Sequence, residues 1–368
     1  MPLPLISDYR ELFLNDIPLL DVRAPIEFVQ GAFPNASNLP LINDEERHAI
    51  GIRYAELGQE QAIALGHELV QGELREKRIN DWIEFTRQHP QGALYCFRGG
   101  MRSKISQQWI YDTTGVAYPR IQGGYKALRR YLLNELDSAA QTLQALVVGG
   151  RTGVGKTRLL SRIEQQIDLE GIYQHRGSSF GKRVMPQPSQ IDIENTLAIA
   201  LLKHRTNNIH KLVLEDEAPN IGSRSVPAGI MQVMHTAPLL LVEADVEERV
   251  ALVFDEYINV SLAQYQQAQG EEPGFEIWAT NLRSALDRIQ RRLGAQRHQT
   301  LKAVMDDAIQ QQRADNDREH HKTWIRTLLL EYYDPMYDYQ LEKKAERIVF
   351  RGDRESILDY LHQHHAIR

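Results

Sequence analysis

Leu143-Gln144-Ala145-Leu146-Val147-Val148-Gly149-Gly150-Arg151-Thr152-Gly153-Val154-Gly155-Lys156-Thr157 is the run from which the rest of the chain can be read. Its first part is a short, mostly apolar stretch, the pattern of a buried strand. Its second part fits G-x-x-x-x-G-K-[ST] at every fixed position, and Arg158-Leu159-Leu160-Ser161-Arg162-Ile163 continues it in helical pattern. Strand before and helix after is the context in which this pattern cradles phosphate. Backbone N–H groups around Gly150, Gly153 and Gly155 would surround a diphosphate, Lys156 would neutralise it, and the Thr157 hydroxyl would reach a Mg²⁺ ion. The pattern specifies a di- or triphosphate. It does not specify a nucleotide, because no base-reading motif accompanies it.

Downstream, residues 210–214 and 238–242 read as further strands of the same sheet. Leu212-Val213-Leu214-Glu215-Asp216-Glu217 ends in three carboxylates, of which Asp216 is the expected one on the Mg²⁺ side. Two polar stretches lie between the phosphate loop and that strand, where substrate loops of such folds often sit: His175-Arg176-Gly177-Ser178-Ser179-Phe180-Gly181 and Gln187-Pro188-Ser189-Gln190. His175, Arg176 and Ser179 are the candidate contacts to an anionic substrate, although a lone histidine is more often structural. Residues 246–318 read as helical and highly charged, and residues 348–350 as a late edge strand. Within them, residues 281–293 carry Leu282, Ala285, Leu286, Ile289 and Leu293 on one side and Arg283, Arg288, Arg291 and Arg292 mostly off it. That face suits an RNA backbone or a solvated surface with salt bridges. The tyrosine-rich residues 332–339 suit either base stacking or a packed turn.

Upstream, residues 125–144 form one helical pattern, with Leu128, Leu132, Leu133 and Leu136 on one face. It is the expected connection between two domains. Before it, short apolar runs at residues 19–23, 92–97 and 117–121 alternate with helical stretches at residues 44–70 and 80–88, which argues for a second parallel α/β sheet. Leu94-Tyr95-Cys96-Phe97-Arg98-Gly99-Gly100-Met101-Arg102-Ser103 holds the only cysteine. It reads as strand, tight loop and helix. A helix N-terminus and two arginines favour a thiolate or a bound anion there, whereas most lone cysteines are buried and inert.

The bulk numbers fit this division. The 368 residues suggest two or three domains, and 42% hydrophobic with 25% charged residues is ordinary for a globular chain. One cysteine excludes an intramolecular disulfide and a cysteine-rich zinc site. A net charge of −6 does not announce a nucleic-acid partner, so such a partner needs a local basic face. No apolar run is long enough to cross a bilayer, and the first residues lack the pattern of a signal peptide. A free thiol suits a reducing cytoplasm, the expected location.

Asp21-Val22-Arg23-Ala24-Pro25-Ile26-Glu27-Phe28, the loop from Gly31 to Pro40 and the Cys96 loop together resemble the rhodanese family of sulfurtransferases. The whole chain resembles the tRNA 2-selenouridine synthase family. The stretches that carry this are Asn43-Asp44-Glu45-Glu46-Arg47, Cys96 through Ser103, Gln122-Gly123-Gly124-Tyr125-Lys126, Gly149 through Thr157, His175 through Gly181 and Glu215-Asp216-Glu217, with a weaker match over residues 332–337. The resemblance implies a rhodanese-like domain over residues 1–124, a linker helix over residues 125–142, and a P-loop NTPase-like α/β domain with helical additions over residues 143–368.

It also implies a chemistry. The 2-thiouridine at the wobble position of certain tRNAs would be S-geranylated from geranyl diphosphate, and selenium from selenophosphate would then displace the S-geranyl group. The phosphate loop would hold the departing diphosphate rather than ATP. Cys96 would serve the selenium step, with Arg98 and Arg102 holding selenophosphate. The implied partners are tRNA and an enzyme that produces selenophosphate, with no DNA or membrane. One feature departs from many rhodaneses: Arg102 stands six positions after Cys96, a C-x5-R spacing that suits a tetrahedral ligand. Cysteine phosphatases share that spacing, but Tyr95 stands where they usually have histidine. The main alternative is an ATP-dependent tRNA thiolation or sulfurtransferase enzyme.

Overall fold

Two five-stranded sheets carry the two loops. They are seen in a computed structural model that describes every residue except Met1, Asn208, His210, Ala366 and Arg368. The expected strand residue His210 therefore lies outside the described residues. Contacts divide the chain into unit 1, Met1–Ala139 with Ser189–Asn207, and unit 2, Ala140–Pro188 with Asn208–Arg368.

The strands of unit 1 are β1 (Leu5–Ile6), β2 (Leu19–Asp21), β3 (Ala36–Asn38), β4 (Ala93–Tyr95) and β5 (Arg120–Ile121). They pair in the order β1-β5-β4-β2-β3, and every pairing is parallel. β2 and β4 are buried along their whole length, which is why they read as continuous apolar runs rather than alternating ones. Helix Asp44–Leu69 starts at a capping box: the Asn43 side chain accepts from the Glu46 N–H at 2.8 Å, and the Glu46 carboxylate accepts from the Asn43 N–H at 2.7 Å. Gly58 interrupts it at φ +80°, a conformation disfavoured for any residue with a Cβ. Helix Gly72–Gln88 begins earlier than its pattern suggests and buries Ile79, Trp82 and Phe85. The two-residue β1 went unread because so short a segment shows no periodicity.

The expected linker helix counts with unit 1 through Ala139, and its end from Ala140 on counts with unit 2. Helix Gly124–Thr142 buries Tyr125, Leu128, Leu132, Leu136 and Ala139. The second polar stretch leads into a helix. Ser189 caps helix Gln190–Thr206, which counts with unit 1. In that unit Asp192 accepts from the Ala32 N–H at 2.7 Å, and Asn195 accepts from Arg129 at 2.8 Å.

Unit 2 holds β6 (Gln144–Gly149), β7 (Gln166–Ile167), β8 (Lys211–Glu215), a small hairpin of β9 (Asn220–Ile221) and β10 (Arg224–Ser225), β11 (Leu239–Val242) and β12 (Ile348–Gly352). The main sheet runs β12-β11-β6-β8-β7 with all pairings parallel. The phosphate loop thus leaves the central strand. A helical layer follows: Val246–Phe254, Ser261–Gln269, Glu271–Leu293, Ala295–Asp315, His321–Leu328 and Asp334–Lys343, with π-helical turns at Asp255–Val260 and Leu329–Tyr333. Its core gathers Trp278, Leu286, Met305, Trp324 and Ile325, all at most 1% or 2% exposed. π turns of this kind are frequent at functional sites, and both lead into the cavity described next. Among the described residues, no helix is long and apolar enough to cross a membrane.

Candidate functional site

The phosphate loop and the residues around it line a cavity of about 820 Å³. Gly155 precedes helix Lys156–Leu160 at φ +80°, a left-handed conformation that glycine takes without strain. Three bonds tie the loop to distant chain. Arg249, buried, donates from Nε to the Thr152 carbonyl at 2.9 Å and pairs with Asp334 at 2.5 and 3.0 Å. Arg151 pairs with Asp338 at 2.6 Å. Arg354 donates to the Val154 carbonyl at 3.0 Å. The loop is therefore braced by residues 97 to 200 positions away.

Lys156 points among carboxylates. Its Nζ lies 3.9 Å from Glu215 Oε1 and 3.4 Å from the Gly150 carbonyl oxygen. Burial works against its charge, but the field of Tyr337, Glu215, Glu217 and Glu170 wins and holds it protonated, with its pKa raised. Glu170, Glu215 and Glu217 each offer an oxygen within 4.8 Å of the others. Burial first, then mutual repulsion, pushes Glu170 up to about 7 against the pull of Lys156. Glu217 is likewise pushed up to about 7 by burial, and Glu215 well above the usual carboxylate range.

The Thr157 hydroxyl donates to Glu170 at 3.2 Å. Glu215 is 2% exposed, and its Oε2 is buried without a hydrogen-bond partner. An all-oxygen set with one orphaned buried carboxylate oxygen fits a hard divalent cation such as Mg²⁺.

Asp216 does not join that set. Its carboxylate is held by Lys344 at 2.6 and 2.8 Å. Glu215 and Glu217 share a side because successive residues of an extended chain alternate, while Asp216 lines the same cavity paired with Lys344. Glu170 went unread: nothing local distinguishes it, and only the turn after β7 brings it to Thr157.

Of the three expected substrate contacts, Arg176 and Ser179 line the cavity and His175 does not. Arg176 is buried, pairs through Nε with Glu256 at 3.0 Å, and leaves Nη1 without a partner. Ser179 presents its carbonyl to Arg288 at 2.6 Å. His175 sits outside, and burial together with Arg183, Arg288 and Arg176 lowers its pKa. Tyr332, Tyr333, Met336 and Tyr337 form part of the cavity wall, so the tyrosine-rich stretch is a packed element that faces the site. On the basic helix, Arg283 pairs with Asp306 and Lys302 with Asp287, as a solvated face does, while Arg292 reaches the cavity.

The Cys96 loop leaves β4 at the centre of the other sheet and lines a cleft of about 840 Å³ with Arg23, Glu27, Arg98, Arg102 and Tyr125. Gly124 closes its back. A Cβ there would lie 2.2 Å from the Cys96 carbonyl oxygen, so only glycine allows this approach. Cys96 is 3% exposed, and its thiol donates to Ser103 Oγ at 3.2 Å. The thiol is thus tucked into the cleft wall rather than presented openly.

The expected anion-holding arginine Arg102 is already paired with Glu27, at 2.5 and 3.0 Å. Burial alone would raise the Glu27 pKa, yet Arg102, the Ala24 N–H and Arg47 lower it. Arg23 is buried, pairs with Asp21 at 2.6 Å and lies 3.8 Å over the Tyr125 ring. Arg98 is exposed at the cleft and has no ion-pair partner among the described residues. Glu27 and Ser103 were therefore missed as site residues, although both stand in the stretches that carry the resemblance.

Residues 143–368 match the family described as the tRNA 2-selenouridine synthase AAA domain. A tRNA 2-selenouridine synthase of Marinobacter nauticus is 49% identical over 357 residues, 97% of each chain. One of Cupriavidus pinatubonensis is 48% identical over 360 residues, 98% of each chain. One of Cupriavidus necator is 49% identical over 365 residues, 99% of each chain.

Proposed function

The chain belongs to the tRNA 2-selenouridine synthase family, and from that premise we propose that it converts 2-thiouridine at the wobble position of tRNA to 2-selenouridine in two steps at two sites. In the first, the sulfur is alkylated by geranyl diphosphate. Gly150, Gly153, Gly155, Lys156 and Thr157 hold the diphosphate, and Arg176 offers its unpartnered Nη1 to an anion in the same cavity. Departure of diphosphate from an allylic carbon leaves the negative charge on the leaving group, which is where Lys156 and the loop N–H groups act. Thr157, Glu170, Glu215 and Glu217 would hold Mg²⁺, which when bound adds positive charge against the diphosphate. Asp216 serves as the anchor of Lys344 instead.

In the second step selenophosphate enters the Cys96 cleft, its selenium attacks C2 of the base, the S-geranyl group leaves as geranylthiol, and water then splits the Se–P bond to release phosphate. Arg98 meets the anion first. Arg102 is available to it once Glu27 yields, and Ser103 holds the Cys96 thiol in place. The partners of this reading are tRNA and the enzyme that makes selenophosphate, in the cytoplasm.

The observation that supports the reading most is the pairing of one half-buried lysine with three clustered carboxylates, one with an unpartnered buried oxygen, beside a phosphate loop. The test is isothermal titration of the full chain with geranyl diphosphate and with ATP, each with Mg²⁺. Tighter binding of geranyl diphosphate is expected. A clear preference for ATP would sink the diphosphate assignment in favour of ATP-dependent thiolation.

A further inference from the structure

A second cavity adjoins the Cys96 cleft, and its lining is of another kind. It encloses about 660 Å³, a size that suits a small ligand. Its walls come chiefly from the kinked helix Asp44–Leu69 and from helix Met101–Thr114, and include Ile50, Ala62, Ile63, Val70, Ile105 and Trp109. Arg47, Tyr54, Met101 and Arg102 line both this cavity and the cleft, so the two are continuous. The two arginines at that border turn their charge to Glu27, at 3.4 and 2.5 Å. Beyond them the pocket offers mainly apolar surface. The helix around the kink also leaves Ile52, Tyr54 and Leu57 at 46%, 58% and 59% exposure, more large apolar surface than a finished helix face usually shows.

A ligand that fills cleft and pocket together is amphipathic. Its head is polar and sits at Cys96, and its tail is apolar. We propose that this pocket holds the alkyl chain of an S-alkylated 2-thiouridine while the base faces Cys96, and so selects an alkylated nucleobase over the free thione. The inference rests on the two-step reading above and adds to it a place for the chain in the second step. The chain is held by contact alone, so affinity grows with its length.

The test uses the full-length protein and two probes, S-geranyl-2-thiouridine and S-methyl-2-thiouridine, titrated calorimetrically. The geranyl probe is expected to bind at least about tenfold more tightly. Ala62→Phe, which fills the pocket, and Ile63→Ser, which removes apolar wall at a partly exposed position, should each bring the ratio of the two affinities toward one. Ile63→Ser carries the test if Ala62→Phe does not fold. Equal affinities in the unaltered protein, or an unchanged ratio in the folded variants, overturn the pocket. Conversion of S-geranyl RNA is then read separately. Selective binding without conversion keeps the pocket and sinks the reaction order, while conversion with undiminished selectivity in the variants sinks the pocket alone.

Discussion

The two loops face anions with opposite electrostatic accounts. In the Cys96 cleft each buried or half-buried arginine already has a carboxylate: Arg102 has Glu27, and Arg23 has Asp21. In the phosphate-loop cavity one half-buried lysine stands against three clustered carboxylates. The first site holds its buried arginines in ion pairs, leaves Arg98 open to an anion, and can admit one further by exchange, Glu27 giving up Arg102. The second gathers three carboxylates whose ionisation burial opposes, and a bound divalent cation would favour their charged form beside a diphosphate. Pattern alone would rank both simply as anion sites. Charge balance separates a site that swaps partners from one that recruits a cation.

The sharpest way to break this contrast is to disable each site in turn. Cys96→Ser should lower selenation by on the order of 10³ or more while geranylation continues, read by mass spectrometry of tRNA nucleosides. Equal loss of both products would end the division of labour. Lys156→Ala should lower geranylation by about 10² to 10³ and leave selenation of pre-geranylated RNA running. It also strips the three carboxylates of their counter-charge, so rates are normalised to folded protein by thermal melt.

Chelation of divalent cations discriminates next. Geranylation should fall at least about tenfold and recover with Mg²⁺, and selenation of pre-geranylated RNA should not respond. Sensitivity of both steps would mean that the cleft, too, needs a cation. A smaller effect is expected from Glu27→Gln. Freed from its partner, Arg102 should lower the KM for selenophosphate by about three- to tenfold, while Tm drops because a half-buried ion pair is lost. An unchanged KM would show that Arg102 never leaves Glu27.

The smallest effect on turnover concerns the helical layer that carries the tyrosines into the phosphate-loop cavity. His321 is fully buried there, accepts from Trp324 Nε1 at 2.9 Å and lies 2.9 Å from Gln312 Oε1. Burial holds its pKa down at about 4. The unfolded chain binds this proton below pH about 6.5 and the folded chain does not. Stability therefore falls as pH drops from about 6.5 to about 4, by at most about 3 kcal/mol. His321→Gln should flatten that part of the curve in chemical denaturation, and a slope identical to that of the unaltered protein would assign it to other groups.

Much of this was legible beforehand for a common reason. The strands that mattered most, β2, β4, β6, β8 and β11, are buried stretches whose apolar runs stand out in the chain. Cys96, Arg98, Arg102 and the glycines, lysine and threonine of the phosphate loop are short-range patterns. The chain itself dictates their spacing, because a tight loop between strand and helix brings neighbours in sequence together. What could not be read was whatever depends on a partner far away.

Glu215, Asp216 and Glu217 stand together at the strand end, and no local pattern separates them. Lys344, 128 positions on, pairs with the Asp216 carboxylate. Glu27 and Arg102 meet across 75 positions, and Arg249 reaches Asp334 across 85. Sequence therefore determined that there are two parallel α/β sheets, each with an anion loop at a strand's end. Tertiary structure decided the charge on each loop's surroundings. Coulomb energy depends on distance in space, and no local pattern encodes which carboxylate the fold will bring to which cation.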